Sequence, residues 1–285
     1  MANLRDIKRR VSSVKSTQKI TRAMKMVAAA KLRRSQEAIV RARPYAHRMR
    51  DLVAGMAARA QNNSHPLLRA PASAKRVDIV VITGDRGLCG AFNTNVVNEA
   101  LRAARERFAG DQVVYTAVGR KGRELHRRRG CNVRADFTEI QDRDSLEVAR
   151  EIIADLAAEF AKGESREVYC LYNEFKSAIS QRVTLERMLP FESQERGDES
   201  TMDYVYEPDA ETVFDRLLMR HLNVQMQRVW LESSASEQGA RMTAMDAATS
   251  NAGEMISELT LLYNRARQDA ITKELIEVVS GSEAL

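Results

Sequence analysis

GDRGLCG, residues 84–90, is the stretch whose residue types come nearest to a reactive site. It is rich in glycine, follows an apolar run and precedes a helical pattern, the context in which backbone N–H groups at a helix N-terminus hold a phosphate. Its spacing is G-x-x-G-x-x-G, not the G-x-G-x-x-G of dinucleotide sites, and no GK[ST] of a Walker-type loop occurs. The plainer expectation is a tight strand-to-helix turn that needs small residues, with Arg86 presented for a partner contact. Asp203, Glu207 and Asp209 form a second group, of carboxylates, but no base or nucleophile accompanies them in a catalytic pattern. Turn and capping chemistry fits them better, with Asp209 as the N-cap of a helix that starts after Pro208.

The remaining reactive side chains are scattered. Cys89, Cys131 and Cys170 are isolated and odd in number, so neither a disulfide framework nor a zinc site is expected, and a reducing compartment suits them. His47, His65, His126 and His221 have no metal-ligand spacing. No cofactor is implied. The basic stretches KRR (8–10), LRRSQ (32–36) and RPYAHRMR (43–50) could face nucleic acid. Tyr45 stands alone there without interleaved aromatics for stacking, so a solvated or protein-facing surface is expected instead.

These groups sit on a chain of 285 residues with 44% hydrophobic residues and only 5% aromatics, enough apolar material for a core but of the kind that fills helical shafts. The net charge of +6 hides an asymmetry. Residues 1–50 hold 15 Lys/Arg against 2 Asp/Glu, or +13, which leaves −7 on the rest. Residues 210–285 carry 11 acids and 7 bases, or −4, so the two ends attract. No apolar run approaches the ~18 residues of a membrane span, and MANLRDIKRR enters charge without an apolar signal core.

Residues 3–58 read as one long helix. Leu4, Ile7, Val11, Val14, Gln18, Thr21, Ala28 and Leu32 follow a heptad seam, and Pro44 is expected to kink or re-aim it. About 55 residues at 1.5 Å each span roughly 80 Å, too long for burial in a globule of this size. Residues 61–75 carry loop chemistry. Between 76 and 190 the pattern alternates strand and helix. Strands are expected at 77–83, 112–119, 132–137 and 167–173, with an alternating edge strand at 181–189, and helices at 93–108, after 119, and at 144–161. That order gives a mostly parallel, Rossmann-like sheet with helices on both faces. Residues 191–209 are an acidic excursion, and 210–280 read as a second long helix without proline. Its seam is Met242, Met245, Thr249, Ala252, Ile256, Leu259, Tyr263, Ala266 and Ala270. The expected architecture is therefore an antiparallel coiled coil of the terminal helices (1–60 and 208–285) with an α/β domain at 70–207. Met24, Lys25, Met26 and Val27 are consecutive, and Ile271, Leu275, Ile276, Val278 and Val279 crowd the far end, so some apolar surface must face outward and be wrapped by a partner.

STQKITRAMKMVAAAKLRRSQ with RPYAHRM at one end, and SEQGARMTAMDAATSNAGEMISELTLLYNRARQDAITKELIEVVSG at the other, resemble the terminal helices of F-type ATP synthase gamma subunits. TGDRGLCGAFN resembles that family's first strand-to-helix turn and YEPD its return to the C-terminal helix. The resemblance implies a non-catalytic central rotor shaft inside a ring of alpha and beta subunits, coupling proton flow through a membrane ring to ATP synthesis or hydrolysis on beta. It implies that Arg241, Gln268 and Thr272 hydrogen-bond a beta-subunit loop and that Met24 and Lys25 face an acidic lever segment of beta. Tyr204, Tyr206 and Glu207 become the foot on the membrane c-ring and the epsilon subunit, and Ile271 to Val279 the tip in an apolar bearing. The implied place is the cytoplasmic face of a bacterial inner membrane, as a peripheral protein. Two rivals remain at this level: an α/β nucleotide-binding enzyme with helical arms, using GDRGLCG, and a basic coiled-coil nucleic-acid binder.

Overall fold

The computed structural model describes residues 4–59, 65–71, 74–141, 143–191 and 206–283. The elements follow the order α1 (Leu4–Arg59), a 3₁₀ turn (Pro66–Leu68), β1 (Arg76–Ile82), α2 (Phe92–Glu106), β2 (Gln112–Val118), α3 (Arg120–Arg128), β3 (Val133–Phe137), α4 (Ser145–Ala161), β4 (Ser165–Phe175), β5 (Gln181–Leu189) and α5 (Ala210–Glu283). They divide into two compact units, one of residues 29–240 and one of residues 1–28 with 241–285.

The larger unit is built on a five-stranded sheet of order β3-β2-β1-β4-β5. β1 pairs in parallel with β2 and β4, β2 in parallel with β3, and β5 lies antiparallel on β4 as an edge. β1 and β4 are central and covered on both faces, which is why their sequences are near-continuous apolar runs. One face packs Val77, Ile79 and Val81 against Val96, Val97 and Ala100 of α2. The other packs Val80, Ile82 and Cys170 with Ile152, Leu156 and Phe160 of α4, Met49 and Val53 of α1, and Leu218, Leu222 and Trp230 of α5. The long helices thus join the core of this unit through their inner halves. Helix starts follow side-chain chemistry: Asp144 accepts from the N–H groups of Leu146 and Glu147 to cap α4. Asp209 accepts from the Thr212 N–H at 2.8 Å at the start of α5, as the sequence leads one to expect.

α1 continues through Pro44 without a break in helical structure. The hydrogen bond that proline forfeits would run to the Val40 carbonyl. Pro44 and Val40 are both exposed, so water can satisfy that carbonyl. The acidic excursion falls largely at 192–205, outside the described residues.

The smaller unit is an antiparallel helix pair. Thr21 Oγ1 meets Thr249 Oγ1 at 2.8 Å, Gln18 Nε2 donates to the Thr249 carbonyl at 3.4 Å, and Lys25 donates to Asp246 at 2.5 Å, so rising numbers on α1 meet falling numbers on α5. The seam named from the sequence is the covered side: Ile7, Thr21, Ala28, Met245 and Ala252 are buried, and Leu4, Val11, Val14, Gln18, Met242, Thr249, Ile256, Leu259, Tyr263, Ala266 and Ala270 are half-buried. Gly253 lets the Gln18 side chain approach, since an added Cβ would stand 3.2 Å from its Nε2. The Lys25–Asp246 pair is exposed and adds at most ~1 kcal/mol. Burial along the seam therefore sets the register, and charge only favours it.

Leu156 is fully buried where α4 meets the sheet. Leu156→Ala should lower stability by ~2–5 kcal/mol, measured as the drop in urea midpoint of the purified chain.

Candidate functional site

Three places hold the residues that could act. The first is the loop after β1. In an open parallel sheet the ligand crevice lies at the C-terminal strand ends where the strand order reverses, which here falls between β1 and β4. α5 fills it. Ser236 Oγ donates to the Asn173 carbonyl at the end of β4 at 2.9 Å. Gly239 lies so close to Ala178 that a Cβ there would stand 3.0 Å from its carbonyl oxygen. The Glu237 carboxylate rests on Gly84, where a Cβ would stand 2.6 Å from Glu237 Oε1. The first two residues of the loop are already engaged: the Gly84 N–H donates to Asn93 Oδ1, and the Asp85 carboxylate accepts from the N–H groups of Arg120, Glu139 and Ile140. A phosphate here would meet two buried carboxylates, Asp85 and Glu237, in a space already occupied. The tight-turn expectation holds, and the nucleotide-enzyme alternative loses its site. Arg86 is exposed beside it, as is Leu88.

The second place is the surface of the helix pair. Met24 is half-buried, while Met26 and Val27 are exposed. Lys25 is already paired with Asp246 within the chain. Gln268 and Thr272 are exposed and four residues apart, hence neighbours on one face of α5. Arg241 is buried and lies about 40 Å away along the helix at 1.5 Å per residue, so the three do not form one cluster. Ile20, Met255, Leu261, Leu262, Ile271, Leu275, Ile276 and Val279 are large apolar side chains exposed around this pair. The Val278 side chain lies outside what the structure describes.

The third place is a cleft of about 670 Å³ in the larger unit, between α1, β5 and α5. Arg228 anchors it, donating to both Glu186 oxygens at 2.5 and 2.7 Å, to Tyr172 Oη at 3.1 Å and to Glu232 at 3.2 Å. Tyr172 Oη in turn donates to Glu186. Burial pushes Glu232 up despite Arg228. His221 stacks edge-on to Phe191, and burial, then Arg50 and Arg228, hold its imidazole down at about 4 against the opposing pull of Glu186. Arg228 pairs with Glu186 and Glu232 here, and no cysteine lines the cleft. Tyr206 is half-buried against the same core, Glu207 is exposed, and Tyr204 lies outside the described residues. Among the described residues no cluster of three or more His, Cys, Asp or Glu could hold a metal ion. Sequence reasoning missed Glu237, Gln141 and Arg228, whose partners lie far away in the chain.

A family model described as ATP synthase matches residues 3–285. The chain is 48% identical, over all of both chains, to the ATP synthase gamma chain of Anaeromyxobacter sp. (strain Fw109-5). It is 43% identical to that of Chlorobium phaeobacteroides over 100% of this chain and 99% of the relative. Among solved structures it resembles a chain of the central stalk and c-ring of Tetrahymena thermophila mitochondrial ATP synthase, with TM-score 0.61 and 27% identity, over 80% of this chain and 99% of that one. A chain of the Euglena gracilis mitochondrial enzyme shares the fold at TM-score 0.70 and 20% identity, over 99% and 94%.

His221 gives this site a pH signature. Its folded pKa is depressed from 6.5 to about 4, so between those values the unfolded chain takes up a proton the folded chain refuses. Its contribution is complete above pH 6.5 and is lost as pH falls toward 4, by up to about 3 kcal/mol. Urea midpoints across that window should decline for the native chain, and the decline should be shallower in His221→Asn.

Proposed function

Because this chain belongs to the ATP synthase gamma chain family, and so serves as the non-catalytic central stalk of that complex, we propose that its helix pair turns inside a sleeve of alpha and beta subunits. The observation that carries this reading is apolar surface on the outward sides of the pair. Met26, Val27, Leu261, Leu275 and Ile276 are all exposed, and a two-helix seam cannot cover them. An enclosing sleeve can. The rod needs an apolar, side-specific surface and no nucleophile.

The physical mechanism is differential contact. An asymmetric rod touches each surrounding catalytic subunit differently at any angle and so favours a different conformation in each. Turning it exchanges those states, which couples rotation to ATP chemistry on beta. In this reading residues 1–60 and 208–285 are the shaft and 70–207 the α/β domain. Gln268 and Thr272, neighbours on one face, bind a beta-subunit loop together, and Arg241 contributes at a different height. Met24 and Lys25 face an acidic segment of beta, where Lys25 can exchange Asp246 for a partner carboxylate at little cost, since the internal pair is exposed. Arg86 makes a further partner contact. Tyr204, Tyr206 and Glu207 supply the foot toward the c-ring and epsilon, and the Ile271–Val279 end sits in an apolar bearing. ATP synthase is a membrane-associated complex, and no helix among the described residues is long and apolar enough to cross a membrane. We place the chain as a peripheral subunit at the cytoplasmic face of a bacterial inner membrane.

A tagged chain should co-purify with alpha and beta partners in an ATPase-active complex. A disulfide engineered between the α5 tip and a beta subunit should stop turnover, and reduction should restore it. Full turnover with the cross-link in place would rule the reading out.

A further inference from the structure

α5 is not merely packed on a surface; within the unit of residues 29–240 one of its turns is buried on every side. Residues 235–239, Ala-Ser-Glu-Gln-Gly, are all buried, and five consecutive positions cover more than a full helical turn. A helix lying on a surface buries one stripe only. The enclosed turn has a smooth outline because Ala235, Ser236 and Gly239 are small. Apolar contact is non-directional and resists rotation of such a cylinder about its own axis poorly. Directional bonds resist it well.

Two side chains in the turn make them: Ser236, to the Asn173 carbonyl, and Glu237. Glu237 is 2% exposed, and Gln141 Nε2 donates to its Oε2 at 2.5 Å. Its carboxylate also lies flat on Gly84, a contact that any side chain at position 84 would obstruct. The groups it touches are fixed in turn. The Gly84 carbonyl accepts from the Lys121 N–H at the start of α3, and the Asp85 carboxylate holds the N–H of Ile140, next to Gln141. One carboxylate on α5 thereby engages the loops that follow β1 and β3, and Asp85 ties those loops to each other and to the start of α3.

We propose that Glu237 is a rotational latch of the central stalk, a positioning residue that, at the enclosed turn and beyond the Arg228–Glu186 and Gln227–Ser145 bonds nearer the start of α5, stops the helix turning within the α/β domain and so passes torque between shaft and domain. This rests on the central-stalk reading. Glu237 touches no substrate. It acts through the angular stiffness of the helix it fixes, and the last 43 described residues of α5, 241–283, continue from this enclosed turn as one helix.

The test uses the assembled complex, immobilised through its hexamer, with a bead attached to the α/β domain. Angular fluctuations of the bead are recorded without ATP, and rotation is then started by adding it. Glu237→Ala and Gln141→Leu should each widen the angular variance by about twofold or more while bulk ATP hydrolysis stays unchanged, since each removes one partner of the part-buried Glu237–Gln141 hydrogen bond. The reciprocal swap Glu237→Gln with Gln141→Glu re-forms the bond with donor and acceptor exchanged and should restore the native width. A loss of packing alone would not be repaired by the swap. If Glu237→Ala fails to assemble, Gln141→Leu decides, because Gln141 is only part-buried. Unchanged widths in the single variants, or a swap that stays wide, would overturn the latch. An unmodified complex whose bead does not turn with ATP would instead refute the central-stalk reading beneath it.

Discussion

The structure depends on the seam between the two chain ends. A helix of 56 residues and one of 74 cannot each bury themselves, and isolated helices of mixed composition gain little from propensity alone. Their outer portions are held by facing rows that alternate large apolar residues with small or hydroxyl-bearing ones. Thr21 against Thr249 is the most specific point of that row. Such a seam tolerates close approach and supplies a register through a hydroxyl pair that one residue of slip would break. It leaves the remaining faces uncovered, and those faces are apolar at Met26, Leu261 and Leu275. A stable internal seam with an unsatisfied exterior is the physical description of a part made to be surrounded.

The α/β domain shows the opposite economy. It has the sheet order and the crossover loops of a ligand-binding fold, yet its crevice is filled by its own chain. The glycine that would let a phosphate approach the backbone lets Glu237 approach instead. Fold and function separate here, because the same strand-to-helix geometry serves to hold a helix. Part-buried charge pairs elsewhere in the domain, such as Arg228 with Glu186 in the α1–β5–α5 cleft, add geometric definition more than net stability.

Much of this was legible in the sequence because it rests on period. The heptads of α1 and α5, the continuous apolar runs of β1 and β4 and the alternation of β5 each follow from which sides are covered. Asp209 was readable as a cap because capping is local. Pro44 does not end α1, since the carbonyl it orphans belongs to Val40, an exposed residue where water can serve it. Glu237 was not legible as a contact residue, since nothing local to SEQGAR points to Gly84 or Gln141. Asp78 inside the apolar run of β1 was similarly silent: it is buried and paired with Arg76, two positions along the same strand face. Of the expected site residues, Gln268 and Thr272 fall together by helical spacing. Arg241 falls apart from them by distance along the same helix, which a list of positions does not convey.

The two ends of the chain wind together antiparallel in this one register. Cysteines placed at Thr21 and Thr249 test it directly under mild oxidation. Their side-chain oxygens are 2.8 Å apart, so a disulfide should form readily. A control pair at Thr21 and Ile256, a heptad further along α5 and roughly 10 Å away, should not react. Equal yields from both pairs, or a bond in the displaced pair alone, would mean that the helices do not hold this register.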